Sequence, residues 1–138
     1  MRKLAAAAVA VGLFVGGMGV AVADSWHSLT KAVTTEGAQF EKVQYRWEPA
    51  GEQRGAFHFK GFLRDLNEND GHNVYLEVRP HAYGWQRFKG VQKRTVPIDK
   101  TVHDGATRYT NTAEMRVCRD RGALRPNNCS PVQSFKRR

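Results

Sequence analysis

Several short segments of this chain alternate apolar and polar residues at every second position. Such alternation is typical of β-strands with one buried face, because successive side chains of a strand point to opposite sides. The clear cases are Val43–Trp47, Phe57–Lys60, Val74–Arg79 and Ala113–Val117, and the weaker ones are Tyr83–Trp85 and Thr95–Ile98. Turn residues such as glycine, proline and asparagine separate these segments. The pattern predicts an all-β fold.

Short strands at this spacing favour two packed sheets over alternating strands and helices. We therefore expect residues 38–138 to form one domain, a small antiparallel β-sandwich of the immunoglobulin-like kind. Pro97 should lie on an edge strand or at a bulge, because proline has no N–H to donate to a neighbouring strand. We expect the tail after Pro131 to be frayed, as the ends of a chain often are.

The first 23 residues have the pattern of a secretion signal. Arg2 and Lys3 precede an uncharged apolar run, and Ala21–Ala23 supplies a small-x-small cleavage site. The run approaches the length of a membrane span, but its glycines and the cleavage motif favour a signal peptide. Cleavage after Ala23 would leave 115 of the 138 residues, beginning at Asp24, and we expect this mature chain to be secreted and extracellular.

Residues 24–37 differ from the rest of the mature chain, because they contain few turn residues. Trp26, Leu29 and Val33 fall at positions i, i+3 and i+7, which fits either a short amphipathic helix or an extended arm. The segment either packs back onto the sandwich or forms a free N-terminal arm that docks into a partner. We take these three side chains as candidate partner-binding residues on their apolar character alone.

The two cysteines, Cys118 and Cys129, both lie near the C-terminus. In an exported protein they are expected to form a disulfide. Closing a loop of this length contributes somewhat under ~3 kcal/mol of stability in the chain-entropy model. No other cysteine or histidine is spaced to complete a zinc site with them, so we predict no metal.

The sequence contains little that indicates catalysis. The five histidines lack metal-ligand spacing, and no Gly-x-Ser-x-Gly motif is present. His58 lies between two phenylalanines of a predicted strand, so it should point to solvent. We therefore predict a protein that is not an enzyme and that uses no cofactor.

The formal net charge of the chain is +9, and it stays positive without Arg2 and Lys3. Such a charge favours acidic partners. Aromatic and basic residues alternate around Tyr83, Trp85 and Arg87, which would share one strand face. Nucleic-acid binders use such alternation, but ordinary amphipathic strands produce it too. We predict a protein interface at these three residues, with neither nucleic acid nor stable membrane association, because tryptophan, tyrosine and arginine are preferred anchors of protein interfaces.

Two blocks of the sequence carry a resemblance to known proteins. They are Val117–Ser130, which holds both cysteines, and Asp70–Arg79 followed by Tyr83–Trp85. In these blocks the chain resembles a group of small secreted actinobacterial β-sandwich proteins with one disulfide near the C-terminus. Within that group it is similar to the adaptor subunit of secreted antibacterial umbrella toxin particles.

The resemblance implies a non-enzymatic linker between other secreted subunits. These would be a large repeat-containing toxin chain and a lectin-like chain with a degenerate trypsin-like fold. An N-terminal segment of the adaptor would engage a cleft of a partner, and here it would correspond to about residues 24–37. Two other functions remain open at this point: a secreted hydrolase inhibitor, and a basic module that binds polyanions or the cell wall.

Overall fold

The computed structural model describes residues 24–106 and 109–138, so the predicted signal peptide lies outside the described residues. The described chain folds into ten β-strands. They are β1 (His27–Ser28), β2 (Val33–Thr35), β3 (Ala38–Trp47), β4 (Phe57–Asp65), β5 (Val74–Pro80), β6 (Gln86–Lys89), β7 (Thr95–Val102), β8 (Thr112–Arg119), β9 (Asn128–Cys129) and β10 (Gln133–Lys136). Over these residues, no helix has the length and apolar character needed to cross a membrane.

The strands form two five-stranded antiparallel sheets. In the first sheet, β1 and β2 both pair with β3, and β4 and β7 follow in order. In the second sheet, β9 and β10 both pair with β8, and β5 and β6 follow. The short strand β6 thus pairs with β5, in the position of the extra strand that immunoglobulin variable domains add beside strand C. The predicted all-β sandwich is confirmed.

The core lies between the two sheets and is built from the apolar positions of the alternating segments. Phe57 is its centre, with ring centroids 4.9 Å from Trp47, 4.8 Å from Phe135 and 5.9 Å from Phe59. Gly61 makes room for one neighbouring ring, since a Cβ atom there would lie 2.7 Å from Phe40 Cζ. Close packing of this kind fixes how the sheets face each other.

A β-bulge in β3 allows all of its apolar residues to face the core. Lys42 has a φ of 53°, and the register against β4 shifts between Glu41 and Gln44. The extra residue shifts the inward and outward alternation of side chains by one position. Phe40 and Val43 are therefore both buried although they lie three positions apart.

The structure confirms three expectations about particular residues. Cys118 and Cys129 form the predicted disulfide, as directly opposed residues of β8 and β9. Pro97 lies on β7, which is an edge strand of the first sheet. His58 lies on the outer face of that sheet, as the alternation predicts, but it does not point to open solvent, because Trp26 and two carboxylates cover its ring and leave the side chain 19% exposed.

Two other expectations are wrong. The tail after Pro131 is not frayed, because β10 pairs with β8 and buries Phe135 in the core. The weak strand candidate Tyr83–Trp85 is not a strand but belongs to the connection between β5 and β6, and β6 begins after it at Gln86. A single alternation over three residues is too short to separate a strand from the turn that leads into it.

Candidate functional site

The outer face of the second sheet carries a cluster of charged and aromatic side chains. Strand alternation directs every second residue of β5, β6 and β8 to this face, and the pairing registers place them in rows. Glu77 lies opposite Arg87 on one side and Arg116 on the other. We call this surface the second-sheet face; it comprises Tyr75, Glu77, Arg79, Trp85, Arg87, Lys89, Glu114 and Arg116.

Glu77 is the centre of the second-sheet face. It is only 5% exposed, and its Oε1 accepts a hydrogen bond from Arg116 Nε at 2.9 Å and forms an ion pair with Nη2 of the same guanidinium at 2.8 Å. Arg87 Nη2 lies 3.5 Å from the other carboxylate oxygen. A buried carboxylate is tolerated only when it is paired, so Glu77 fixes the positions of both guanidinium groups.

Trp85 is held between two arginines of the same face. The guanidinium carbons of Arg79 and Arg116 lie 4.1 Å and 4.4 Å from its ring centroid. Arg87 stacks over Tyr75 in the same way, at 3.8 Å. Stacked guanidinium groups are attracted to the electron-rich faces of aromatic rings, so Trp85 has a defined position although it is only half-buried.

The second-sheet face carries a positive charge. Glu114 Oε1 pairs with Arg79 at 3.4 Å and with His81 at 3.1 Å. The face has two carboxylates, Glu77 and Glu114, but four positively charged side chains. These four are Arg79, Arg87, Lys89 and Arg116. The surface is therefore suited to a partner that is acidic on balance.

Tyr83 does not join Trp85 and Arg87 in this stack. It lies in the turn between β5 and β6, where its hydroxyl donates to Asp104 Oδ1 at 2.6 Å and its carbonyl accepts from Arg79 at 3.3 Å. The first of these bonds raises the pKa of Tyr83 and lowers the pKa of Asp104. Tyr83 thus links the end of the second-sheet face to the loop after β7.

The structure places Trp26 on the outer face of the first sheet. Its ring lies 4.0 Å from Lys60 Nζ and 4.6 Å from the guanidinium carbon of Arg46, and it meets the His58 ring edge-on at 4.8 Å. Trp26 therefore has a setting much like that of Trp85, between two cations, on the opposite side of the sandwich.

Leu29 and Val33 also contact the sandwich itself. The Leu29 N–H donates to the carbonyl of Val43 at 3.0 Å, and its side chain packs against the core. Val33 is 6% exposed and belongs to the core. Segment 24–37 is extended in this structure, and it contributes β1 and β2 to an edge of the first sheet.

One polar cluster could not be found from the sequence. His58 Nδ1 lies 2.8 Å from Glu48 Oε1, and His58 Nε2 lies 2.5 Å from Asp99 Oδ1. Arg46 Nε also donates to Glu48, at 3.0 Å. Burial acts to raise the pKa of Glu48, but the hydrogen bonds from His58 and Arg46 outweigh it and lower the pKa. The partners are far apart in the sequence, and only the pairing of β3, β4 and β7 brings them together.

One group of three potential metal ligands occurs among residues 24–106 and 109–138. It consists of Glu77, Cys118 and Cys129. Both sulfur atoms are bonded to each other in the disulfide. Glu77 is committed to its two arginines. All three groups are therefore already engaged, the sulfur atoms in the disulfide and the carboxylate in ion pairs.

Comparison of the chain with protein-family models, with curated proteins and with solved structures found no match.

Proposed function

We propose that this protein is a secreted, non-enzymatic interaction module that acts as an adaptor in a secreted protein complex. The resemblance to the adaptor subunits of umbrella toxin particles favours the same class of role. The disulfide-bonded β domain is compatible with an extracellular location. The partners proposed on the resemblance are a repeat-containing toxin chain and a lectin-like chain.

The observation that carries this proposal is that side chains of the second-sheet face are held in defined positions. Trp85 and Arg87 are fixed by stacking and by the buried Glu77, and both remain partly accessible. Binding energy at protein interfaces is concentrated in tryptophan, tyrosine and arginine anchors. Side chains that are ordered before binding lose less conformational entropy when a partner arrives.

We place the docking surface on the second-sheet face rather than on segment 24–37. Trp26, Leu29 and Val33 already contact the sandwich, so their use by a partner would first require β1 and β2 to leave the sheet. Trp85 and Arg87 are accessible without any change in the fold.

Affinity purification from the native culture supernatant tests the proposal. The tagged protein should co-elute with a larger secreted chain, and Trp85→Ala should lose most of that chain. A hot-spot tryptophan contributes about 2 kcal/mol or more, which corresponds to about 30-fold in affinity. Trp26→Ala is the matched control, because it removes the same side chain from between two cations on the other sheet.

Each outcome of this experiment is informative. Elution of the wild-type protein alone, as a monomer, would overturn the adaptor proposal. Loss of the partner with Trp26→Ala but not with Trp85→Ala would overturn the second-sheet face as the docking surface. This second result would place the docking surface on segment 24–37 instead.

A further inference from the structure

His58 lies between two carboxylates on the outer face of the first sheet. Its Nδ1 is 2.8 Å from Glu48 Oε1, and its Nε2 is 2.5 Å from Asp99 Oδ1. A neutral imidazole carries one N–H, so it can donate to only one of these oxygens, whereas the imidazolium carries two. Both contacts are therefore hydrogen bonds only when His58 is protonated.

The two carboxylates lie in different parts of the first sheet. Glu48 directly follows β3, Asp99 lies in β7, and His58 lies in β4 between them. β7 is an edge strand, and in the described part of the chain its backbone pairs with β4 alone. The bond from His58 to Asp99 therefore adds a side-chain link to a strand that is held on one side only.

The two contacts of His58 differ in their exposure to solvent. The side chain of Glu48 is 10% exposed, and that of Asp99 is 64% exposed. Burial acts to raise the pKa of Glu48, but the hydrogen bonds from His58 and Arg46 lower it below its ordinary value. Removing a donor costs more free energy at a buried carboxylate than at an exposed one, which water can solvate. The single N–H of a neutral His58 should therefore stay on Glu48, and the contact with Asp99 should be lost.

Two cations and one aromatic ring complete the surroundings of His58. Arg46 lies opposite His58 in the pairing register, and Lys60 lies opposite Asp99. Trp26 stacks against both cations and covers the His58 ring at 4.8 Å. The cations oppose a further positive charge, and the two carboxylates in direct contact favour it. Because both ring nitrogens are occupied, none is left to accept a proton from a substrate, and the cluster is not arranged as a catalytic base.

We propose that His58 is a proton-operated clamp that holds the edge strand β7 against β4. Protonated His58 donates to Glu48 and Asp99 together, and this fastens β7 on its outer face. As the pH rises and His58 loses its proton, Asp99 is released and β7 opens more readily. The clamp also opens in acid, once the carboxylates are protonated. It is independent of the adaptor role, because it lies on the other sheet from Trp85.

Hydrogen–deuterium exchange of the wild-type protein between about pH 5.5 and about pH 8.5 tests the clamp, since exchange reports local opening. After correction for the intrinsic effect of pH, peptides covering 95–102 should exchange about tenfold faster at the high end, because one charge-assisted hydrogen bond disappears. Peptides covering 112–119, in the second sheet, are the internal reference and should change less than about twofold. Equal changes in both regions, or no change in 95–102, would overturn the proposal.

The variant Asp99→Asn separates the clamp from a purely structural contact. Its amide can donate to the unprotonated Nε2 of His58, so the contact no longer requires the proton. The pH dependence of exchange in 95–102 should therefore disappear. Glu41→Gln is the matched control, since it removes a carboxylate from the same strand pair at a position opposite Phe62, away from His58, and it should keep that pH dependence. A pH dependence of Asp99→Asn equal to that of the wild type would overturn the clamp.

Nuclear magnetic resonance of the ring nitrogens of His58 in the wild-type protein tests the same step without a substitution. Both nitrogens should carry a proton at the acid end of the titration. As the pH rises, Nε2 should lose its proton while Nδ1 keeps the bond to Glu48. Retention of the proton on Nε2 would overturn the proposal, because Asp99 would then stay bound.

Discussion

At the scale of single residues, the two tryptophans Trp26 and Trp85 show what strand alternation predicts and what it misses. Alternation predicts that His58, which contacts Trp26, lies on the outer face of its sheet, and the structure confirms this. It does not reveal that each tryptophan is held between two cations. Those cations come from neighbouring strands, so their positions depend on the pairing register, which a single sequence does not specify.

Glu48 gives a residue-scale prediction about pH. Its pKa is lowered in the folded protein from the ordinary 4.5, so the folded state binds fewer protons there than the unfolded state. Its contribution to stability is therefore present above about pH 4.5 and is lost as the pH falls through the lowered pKa. Glu48→Gln should be less stable than the wild type at neutral pH, by about 1–3 kcal/mol, and the two should converge in acid.

Urea unfolding of both proteins between neutral and acid pH measures this effect. Glu52→Gln is the control, since it removes a carboxylate from an exposed position in the adjoining turn. A Glu48→Gln protein whose stability falls with pH as steeply as that of the wild type would contradict the assignment.

At the scale of elements, long alternating segments such as β5 and β8 could be predicted, and shorter ones could not. The bulge at Lys42 conceals the first half of β3, because the extra residue breaks the period of two. The short strands β1, β2, β6, β9 and β10 lack a pattern long enough to distinguish them from turns. They are defined by their pairing with longer strands.

The strand β10 gives a prediction that checks the corrected position of the tail. Phe135 is 5% exposed and contacts the rings of Tyr45 and Phe57 at 4.7 Å and 4.8 Å. Phe135→Ala should therefore lower the free energy of unfolding by about 3–5 kcal/mol. Thermal or urea unfolding measures this, with the half-exposed Val132→Ala of the same tail as control. Equal and small losses in both variants would mean that the tail is not part of the core.

At the scale of the whole molecule, the sandwich separates two surfaces of different chemistry. The second-sheet face is a broad charged and aromatic surface, suited to a protein partner. The groove beside Arg137 is concave and is lined by cationic side chains together with the carboxylate of Asp24. Part of the second-sheet face could be predicted from the sequence, because Trp85 and Arg87 were expected to lie at a protein interface. The groove could not be predicted, because Asp24 and Arg138 meet there only in the folded chain.

The central claim is that a partner protein docks on the second-sheet face. Hydrogen–deuterium exchange of the tagged protein, alone and bound to the chain that co-purifies with it, tests this most directly. We predict slower exchange in peptides covering 74–89 and 112–119 when the partner is bound, with little change over 24–37. Protection confined to 24–37, with 74–89 unchanged, would contradict the claim.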